Sequence, residues 1–285
     1  MSKIVAITGT SGRLGGALKR YFRGRGWSVL TLNRSVLDFT QPDLIAPILE
    51  ELSFDALIHP AAITGLEECE SNPEQAMMVN ATAPGLVAAH CAQREVPMLH
   101  VSTDCVFSGL ASGLRCESDL AEPINAYGQS KRAGEQAVLV AHPSAWVARV
   151  SWLFGPDKAS FVESMLDRAE RGEAVQAVAD KFSTPSYTQD LCQAFEGLLG
   201  LPEKGGIIHA CNRGQTTWHG YAQEVFRLAG KPEVNIEPLA LSEMTTFVAE
   251  RPIHTAMDPS KLEGLLGRFM RSWQDALADY FTSKV

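Results

Sequence analysis

No stretch of this chain approaches the roughly 20 consecutive apolar residues of a membrane-spanning helix. Nor is there a basic surplus to grip nucleic acid or an anionic bilayer, since the formal net charge is -8. An anionic ligand must therefore be held by local groups. The six cysteines, at positions 69, 91, 105, 116, 192 and 211, contain no Cys-x-x-Cys pair and lack the density of a disulfide scaffold. Reduced thiols are the simpler reading. The histidines never recur at ligand spacing, so no structural or catalytic metal is expected. Residues 1–7 hold no apolar segment of signal length, and the expectation is a soluble, cytoplasmic protein without nucleic-acid or membrane partners.

What is present is a regular alternation. Short apolar runs at 3–8, 28–33, 56–59, 97–101 and 146–150 read as buried strands, and residues after 13, 42–52, 73–94 and 125–142 read as helices. This β-α-β rhythm predicts an α/β fold, a doubly wound parallel sheet of Rossmann-like type. Residues 1–150 are expected to form a dinucleotide-binding domain. Residues 151–285, where the rhythm loosens, are expected to form mainly a smaller C-terminal substrate-binding lobe, with segments near 188–211 returning to the first domain.

Between the first strand and its helix lie Gly9, Ser11, Gly12, Arg13, Leu14 and Gly15. The first glycine permits a tight turn, the second lets backbone approach a pyrophosphate, and the third lets helix and strand pack closely. The 3-2 glycine spacing is the one short-chain dehydrogenase/reductases use. A carboxylate closing the second strand would select NADH, but that strand ends Leu32-Asn33-Arg34-Ser35. Arg34, helped by Ser35, can form charge-assisted bonds to a 2′-phosphate, so NADPH is favoured and NADH is the weaker alternative.

Tyr-x-x-x-Lys occurs twice, at Tyr127/Lys131 and at Tyr280/Lys284, so the spacing alone decides nothing. The first copy differs in having Thr103 upstream at a strand end. A nearby ammonium lowers a phenol's pKa, so Lys131 is expected to ease proton transfer from Tyr127 while bonding the cofactor ribose. Thr103 would hold the reacting oxygen.

Distributed motifs then identify a family. The chain resembles the extended short-chain dehydrogenase/reductases, and more narrowly the dTDP-4-dehydrorhamnose reductase family. The agreement includes Gly12-Arg13-Leu14-Gly15, Pro60-Ala61-Ala62, Val79-Asn80-Ala81, Val101-Ser102-Thr103-Asp104 and Tyr127-Gly128-Gln129-Ser130-Lys131. It continues through Ala133-Gly134-Glu135, Ser151-Trp152-Leu153-Phe154-Gly155 and Arg251-Pro252. The resemblance implies reduction of the 4-keto group of a nucleotide-linked 6-deoxysugar, with Thr103, Tyr127 and Lys131 catalytic. It places Asp38 and Phe39 along the adenine, Ala61 and Ala62 beside the cofactor, and Trp152 facing the sugar. Asp104, Cys105, Val106 and Arg251 are carried over to the substrate side. A homodimer is left open.

Four positions depart from the family pattern. The family usually has Tyr, Asp, Asn and Gly where this chain has Cys105, Ser108, Ser160 and Ser183, which leaves the identity of the nucleotide-sugar open. The related GDP-fucose synthases place a cysteine where Cys105 stands and pair it with a histidine for epimerisation. No histidine occupies the expected place near Ser160-Phe161-Val162. A further alternative is the methionine adenosyltransferase β subunit, which resembles the same family, binds a dinucleotide and serves a partner enzyme.

Overall fold

The computed structural model describes residues 2–202 and 205–283. Its centre is a six-stranded sheet, every pairing parallel. The strands are β1 (Ile4–Thr8), β2 (Ser28–Leu32), β3 (Ala56–His59), β4 (Met98–Thr103), β5 (Trp146–Val150) and β6 (Gly206–His209). Their spatial order is β6-β5-β4-β3-β1-β2. The winding direction therefore reverses between β1 and β3, and an open parallel sheet of this order offers its ligand crevice at that point.

Alternate residues of each strand feed opposite faces, as the twofold side-chain period requires. Val5, Ile7, Ile58 and Val101 pack with Leu14 and Leu18 of the helix Arg13–Gly24 and with Leu191 and Phe195 of Thr188–Leu199. On the other face Ala6, Leu57, Met98 and Val147 pack with Leu49, Val87 and Val138. With both faces covered, the strands read as near-continuous apolar runs, which is why the sequence marks them clearly.

A separate aromatic-rich cluster lies in the later part of the chain, formed by Phe154, Tyr187, Tyr221, Phe226, Trp273 and Tyr280 among others. Around it short strands pair: Val175–Val178 with Ile236–Leu239, Leu153–Phe154 with Ser186–Tyr187, and Phe182–Ser183 with Thr216–Thr217. Strands of two to four residues are too short to show an alternation, and most of these do not stand out in the sequence. The segment 188–209 lies against the main sheet through the helix Thr188–Leu199 and β6. Among the described residues no helix is long and apolar enough to cross a membrane.

Two local features fix the frame of the crevice. The helical stretch 73–93 contains a π turn at Met78–Thr82, a widening that often marks functional sites. It presents Asn80, whose amide exchanges hydrogen bonds with backbone N–H and C=O of Ile63 at 2.8 and 2.9 Å and donates to Ser130 at 3.0 Å. The loop leaving β3 is thereby latched to the helix Ala126–Ala141. Gly134 permits the contact, because a Cβ there would sit 2.1 Å from the Asn80 carbonyl oxygen. The second feature is a buried ion pair in which Arg149 of β5 donates to both oxygens of Glu135, at 2.7 and 2.8 Å. Ser102 of β4 adds a third bond at 2.7 Å.

Candidate active site

The glycine loop behaves as its spacing predicts. Gly9 has φ of +56°, a conformation that favours glycine, and a Cβ on Gly15 would lie 2.2 Å from the Gly9 carbonyl oxygen. Gly12 caps the helix Arg13–Gly24 without a side-chain bond, and no acid stands in the first turn. The first-turn backbone N–H groups and the positive end of a 12-residue helix stand at this turn without a side-chain cap, a fitting cradle for a pyrophosphate.

Beside it lies a cleft of about 220 Å³, lined by Gly9, Ser11, Asn33, Arg34, Asp38, Phe39, Ala61 and Ala62. Glu68, Gln75 and Val79 also line it. Sequence reasoning did not assign these three to the site, because they come from separate helical segments outside the glycine loop, Val79 having entered only as part of a family motif. The Arg34 side chain is 76% exposed and its Nε lies 3.3 Å from Asp38. Two bonds from Thr40, the backbone one foremost, together with Arg34 hold the Asp38 carboxyl below its ordinary range. Ser35 donates to Asn33 at 2.7 Å. Phe39 is largely buried and meets His59 edge-on at 5.0 Å. Replacing Arg34 by Ala is expected to lower the ratio of NADPH to NADH efficiency on the order of tenfold, the low end for a charge-assisted bond because the guanidinium is solvated. Steady-state kinetics with both cofactors checks this; an unchanged ratio removes Arg34 as discriminator.

Two loop residues contribute differently from the sequence expectation. The Arg13 guanidinium turns away and donates to the carbonyls of Lys158 (3.1 Å) and Ala159, so its charge ties the loop to the segment after β5. Leu14 is buried in the sheet core, which leaves only its backbone for a ligand.

The trio gathers at the C-terminal edge of β4. Thr103 is that strand's last residue, and Tyr127 and Lys131 lie one turn apart on the helix Ala126–Ala141. Asn125 caps the helix by accepting from the Gly128 N–H at 2.8 Å. Gly128 lets its first turn press onto the chain after β4, since a Cβ would meet the Cys105 carbonyl oxygen at 2.3 Å. Thr103 lies close enough to the Tyr127 phenol for its hydroxyl to favour the phenolate, and Lys131 donates to the Val101 carbonyl at 2.7 Å.

The electrostatics correct one expectation. Burial pushes the Tyr127 phenol upward, Cys105 and Asp104 add to the rise, and the Thr103 bond opposes it. Lys131, itself buried, is lowered to about 8 by desolvation. The expected lowering of the phenol by Lys131 does not appear: burial dominates, and the lowering contribution comes from Thr103 instead. A phenol pushed upward stays protonated at neutral pH, which suits giving a proton rather than taking one.

On the carried-over substrate side, the residues diverge. Val106 is wholly buried with Phe107, Cys211 and Met257, so its side chain does not reach a ligand. Asp104 is also buried and spends its carboxylate on protein hydroxyls: Ser151, Ser183 and Thr255 donate to one oxygen at 2.9, 2.7 and 2.6 Å. Both assignments as direct contacts are corrected by this burial. Trp152 has φ of +35°, unusual for a bulky residue. Trp218 lies 5.7 Å from it, centroid to centroid, and the Lys181 ammonium lies 5.7 Å over its ring. Arg251 donates to both oxygens of Glu67 and sits over the Phe247 ring, which joins the loop near 247–251 to the helix Leu66–Ser71. Of the departing residues, Ser160 caps the helix Phe161–Glu170 and Ser183 belongs to the Asp104 ring.

Cys105 packs against Tyr127 and Cys69, and burial, then Asp104, pushes its thiol up to about 12. A thiol so protonated is a poor carbon base. Incubation with a 4-keto nucleotide-sugar in deuterated solvent is expected to leave the ring carbons free of deuterium; ring-carbon exchange would restore the epimerase alternative. The second Tyr-x-x-x-Lys is different in kind: Tyr280 lies in the aromatic cluster and donates to Glu163 at 2.7 Å, while Lys284 lies outside the described residues.

A family model described as the RmlD substrate binding domain matches residues 2–285. A probable dTDP-4,6-dihydroxy-2-methyloxan-3-one 4-ketoreductase of Streptomyces antibioticus is 36% identical, covering 96% of this chain and 93% of the relative. The dTDP-4-dehydrorhamnose reductase of Mycolicibacterium smegmatis is 34% identical, covering 98% of this chain and 85% of the relative. Among solved structures, a dTDP-4-dehydrorhamnose reductase of Bacillus anthracis in complex with NADP superposes with a TM-score of 0.92 at 29% identity, covering 99% of both chains. With the glycine cradle, the parallel sheet and the whole length accounted for, the chain belongs to the RmlD substrate-binding-domain family.

Proposed function

We propose that this chain is an NADPH-dependent reductase of the 4-keto group of a nucleotide-linked 6-deoxysugar, with dTDP-4-dehydrorhamnose as the preferred substrate. The observation that carries the reading is the meeting of Thr103, protonated Tyr127 and Lys131 at the sheet edge that also holds the glycine cradle. Curated relatives named as dTDP-sugar ketoreductases support the substrate class.

When bound, NADPH supplies the hydride. Gly12 and the first turn of its helix would hold the pyrophosphate, and the cleft beside Arg34 and Asp38 would hold the adenosine end. Lys131, now bonded to the Val101 carbonyl, is placed to turn toward the cofactor ribose. Tyr127 gives its phenolic proton to the oxygen that was the substrate carbonyl, and Thr103 holds that same oxygen by a hydrogen bond. Trp152 offers an apolar face to the sugar ring. A wider cleft of about 600 Å³, with Phe161, Met165, Val178, Trp218 and Arg168 on its walls, adjoins Trp152 through Trp218 and suits the nucleotide end. We take residues 151–285, apart from the segment returning to the sheet, as the substrate-binding part.

The test is NADPH oxidation against a panel of dTDP-, GDP- and UDP-linked 4-keto sugars. Turnover fastest with the dTDP sugar is expected. Tight NADPH binding without turnover on any of them, together with co-purification of another enzyme, would overturn the reading in favour of a regulatory subunit.

A further inference from the structure

The ion pair between Arg251 and Glu67 has two unlike ends. The Arg251 side chain is 10% exposed, whereas that of Glu67 is 42% exposed. The guanidinium also has supports other than Glu67: its Nη1 donates to the Ala249 carbonyl at 2.6 Å, and its centre lies 4.3 Å from the centroid of the Phe247 ring. It keeps its place if Glu67 leaves. Glu67 regains water on release, so the separation costs little, as for other exposed carboxylates in ion pairs.

The contact is also not the best that an arginine can make. Both Glu67 oxygens, at 2.6 and 2.8 Å, are met by the single nitrogen Nη2, and among the described residues Nε donates to no protein group. Two parallel bonds from neighbouring nitrogens suit a carboxylate or a phosphate better.

Position gives this pair a meaning. The Arg251 charge reaches the Cys105 thiol, which packs against Tyr127. On its other side Arg251 stacks on Phe247, which meets Trp218 edge-on at 6.2 Å on the wall of the 600 Å³ cleft. Arg251 therefore stands between the trio, where the sugar is reduced, and the cleft taken for the nucleotide end. In a nucleotide-sugar the group between those two parts is a diphosphate, and a chain of net charge -8 must hold that anion with local cations. We infer that Glu67 occupies the place of the substrate's diphosphate on Arg251, and that binding passes the guanidinium from the Glu67 carboxylate to the diphosphate. Glu67 is then an internal competitor, which keeps a largely buried cation paired until the substrate arrives. The inference rests on the proposed nucleotide-sugar reading.

The test is calorimetric binding of dTDP, UDP and GDP, each compared with its nucleoside, in saturating NADP so that the cofactor cleft is filled. For the diphosphate that wild type binds tightest, Glu67→Gln is expected to tighten binding about three- to tenfold and to leave the nucleoside within about twofold. Arg251→Met is expected to weaken the diphosphate at least about tenfold. Adding Glu67→Gln to Arg251→Met should then change binding by less than about twofold, because nothing remains to compete for. Arg251→Gln, which keeps a donor for the Ala249 carbonyl, replaces Arg251→Met should that variant fail to fold. Tightening of equal size with and without Arg251 would mean plain charge repulsion and overturn the inference, as would diphosphate binding unchanged or weakened by Glu67→Gln. A wild type that reduces a 4-keto sugar but shows no coupling between the two positions overturns the inference alone. One that binds no nucleoside diphosphate and reduces no 4-keto sugar overturns both readings.

Discussion

Tyr127→Phe is expected to lower kcat by about 10²–10⁴-fold, the usual contribution of a positioned proton donor. The substitution deletes one oxygen from a side chain already packed against Cys69, Ala76 and Cys105, so the fold and the cofactor cleft should persist. kcat and kcat/KM should fall together, because the lost interaction matters only as the carbonyl oxygen becomes an alkoxide. NADPH affinity, measured by fluorescence, should stay near wild type, since Lys131 and the glycine loop are untouched. The direction of the phenol's shift adds a second reading of the same chemistry. Burial keeps Tyr127 protonated, so the wild-type enzyme starts ready to give a proton in reduction, whereas oxidation of the product alcohol needs a phenolate and should quicken as pH rises. A Tyr127→Phe variant that consumed NADPH with substrate at near wild-type rate would remove Tyr127 from the mechanism.

Arg149→Met is expected to destabilise the fold by about 2–4 kcal/mol, because Glu135 loses its fully buried two-point partner and keeps only Ser102 and the partly exposed Arg132. Glu135 and Arg149 are both almost fully inaccessible to solvent. Burial pushes the Glu135 carboxyl up, but Arg149, Ser102 and Arg132 together bring it below its ordinary range. A carboxylate with a depressed folded-state pKa contributes stability above its unfolded pKa, and that stability is lost as pH falls through the folded value. The wild-type protein should therefore lose stability toward acid through this group. In urea melts the double variant Glu135→Leu/Arg149→Met should be more stable than Arg149→Met alone, because the buried, under-compensated carboxylate is gone. A single variant as stable as wild type would show that the pair does not hold the Tyr127 helix onto β4 and β5.

Much of the frame is legible because parallel strands covered on both faces must be apolar throughout. Ala56–His59 and Trp146–Val150 coincide with the runs read from sequence. The glycines are legible for a related reason: only glycine tolerates the φ of Gly9 and the approach of Gly15 to its carbonyl. The site is harder to read, because a residue's type does not say which way it points. Arg13 lies in the phosphate motif, yet its guanidinium serves the carbonyls of Lys158 and Ala159. Val106 follows the catalytic strand closely, yet faces the core. The π turn that brings Asn80 to Ile63 and Ser130 leaves no compositional trace at all.

Alternation, glycine placement and the Tyr127–Lys131 spacing were enough to determine a parallel sheet, a dinucleotide cradle and a phenol-ammonium pair on one helix face, because each depends on local backbone geometry. Tertiary structure alone decided the electrical state of that pair. Burial of Tyr127 and Lys131 under the segment after β4 reverses the shift expected of an ammonium beside a phenol, since desolvation acts on both charges at once. It also decided the surroundings of Asp104, whose partners Ser151, Ser183 and Thr255 are brought together only by the folded chain.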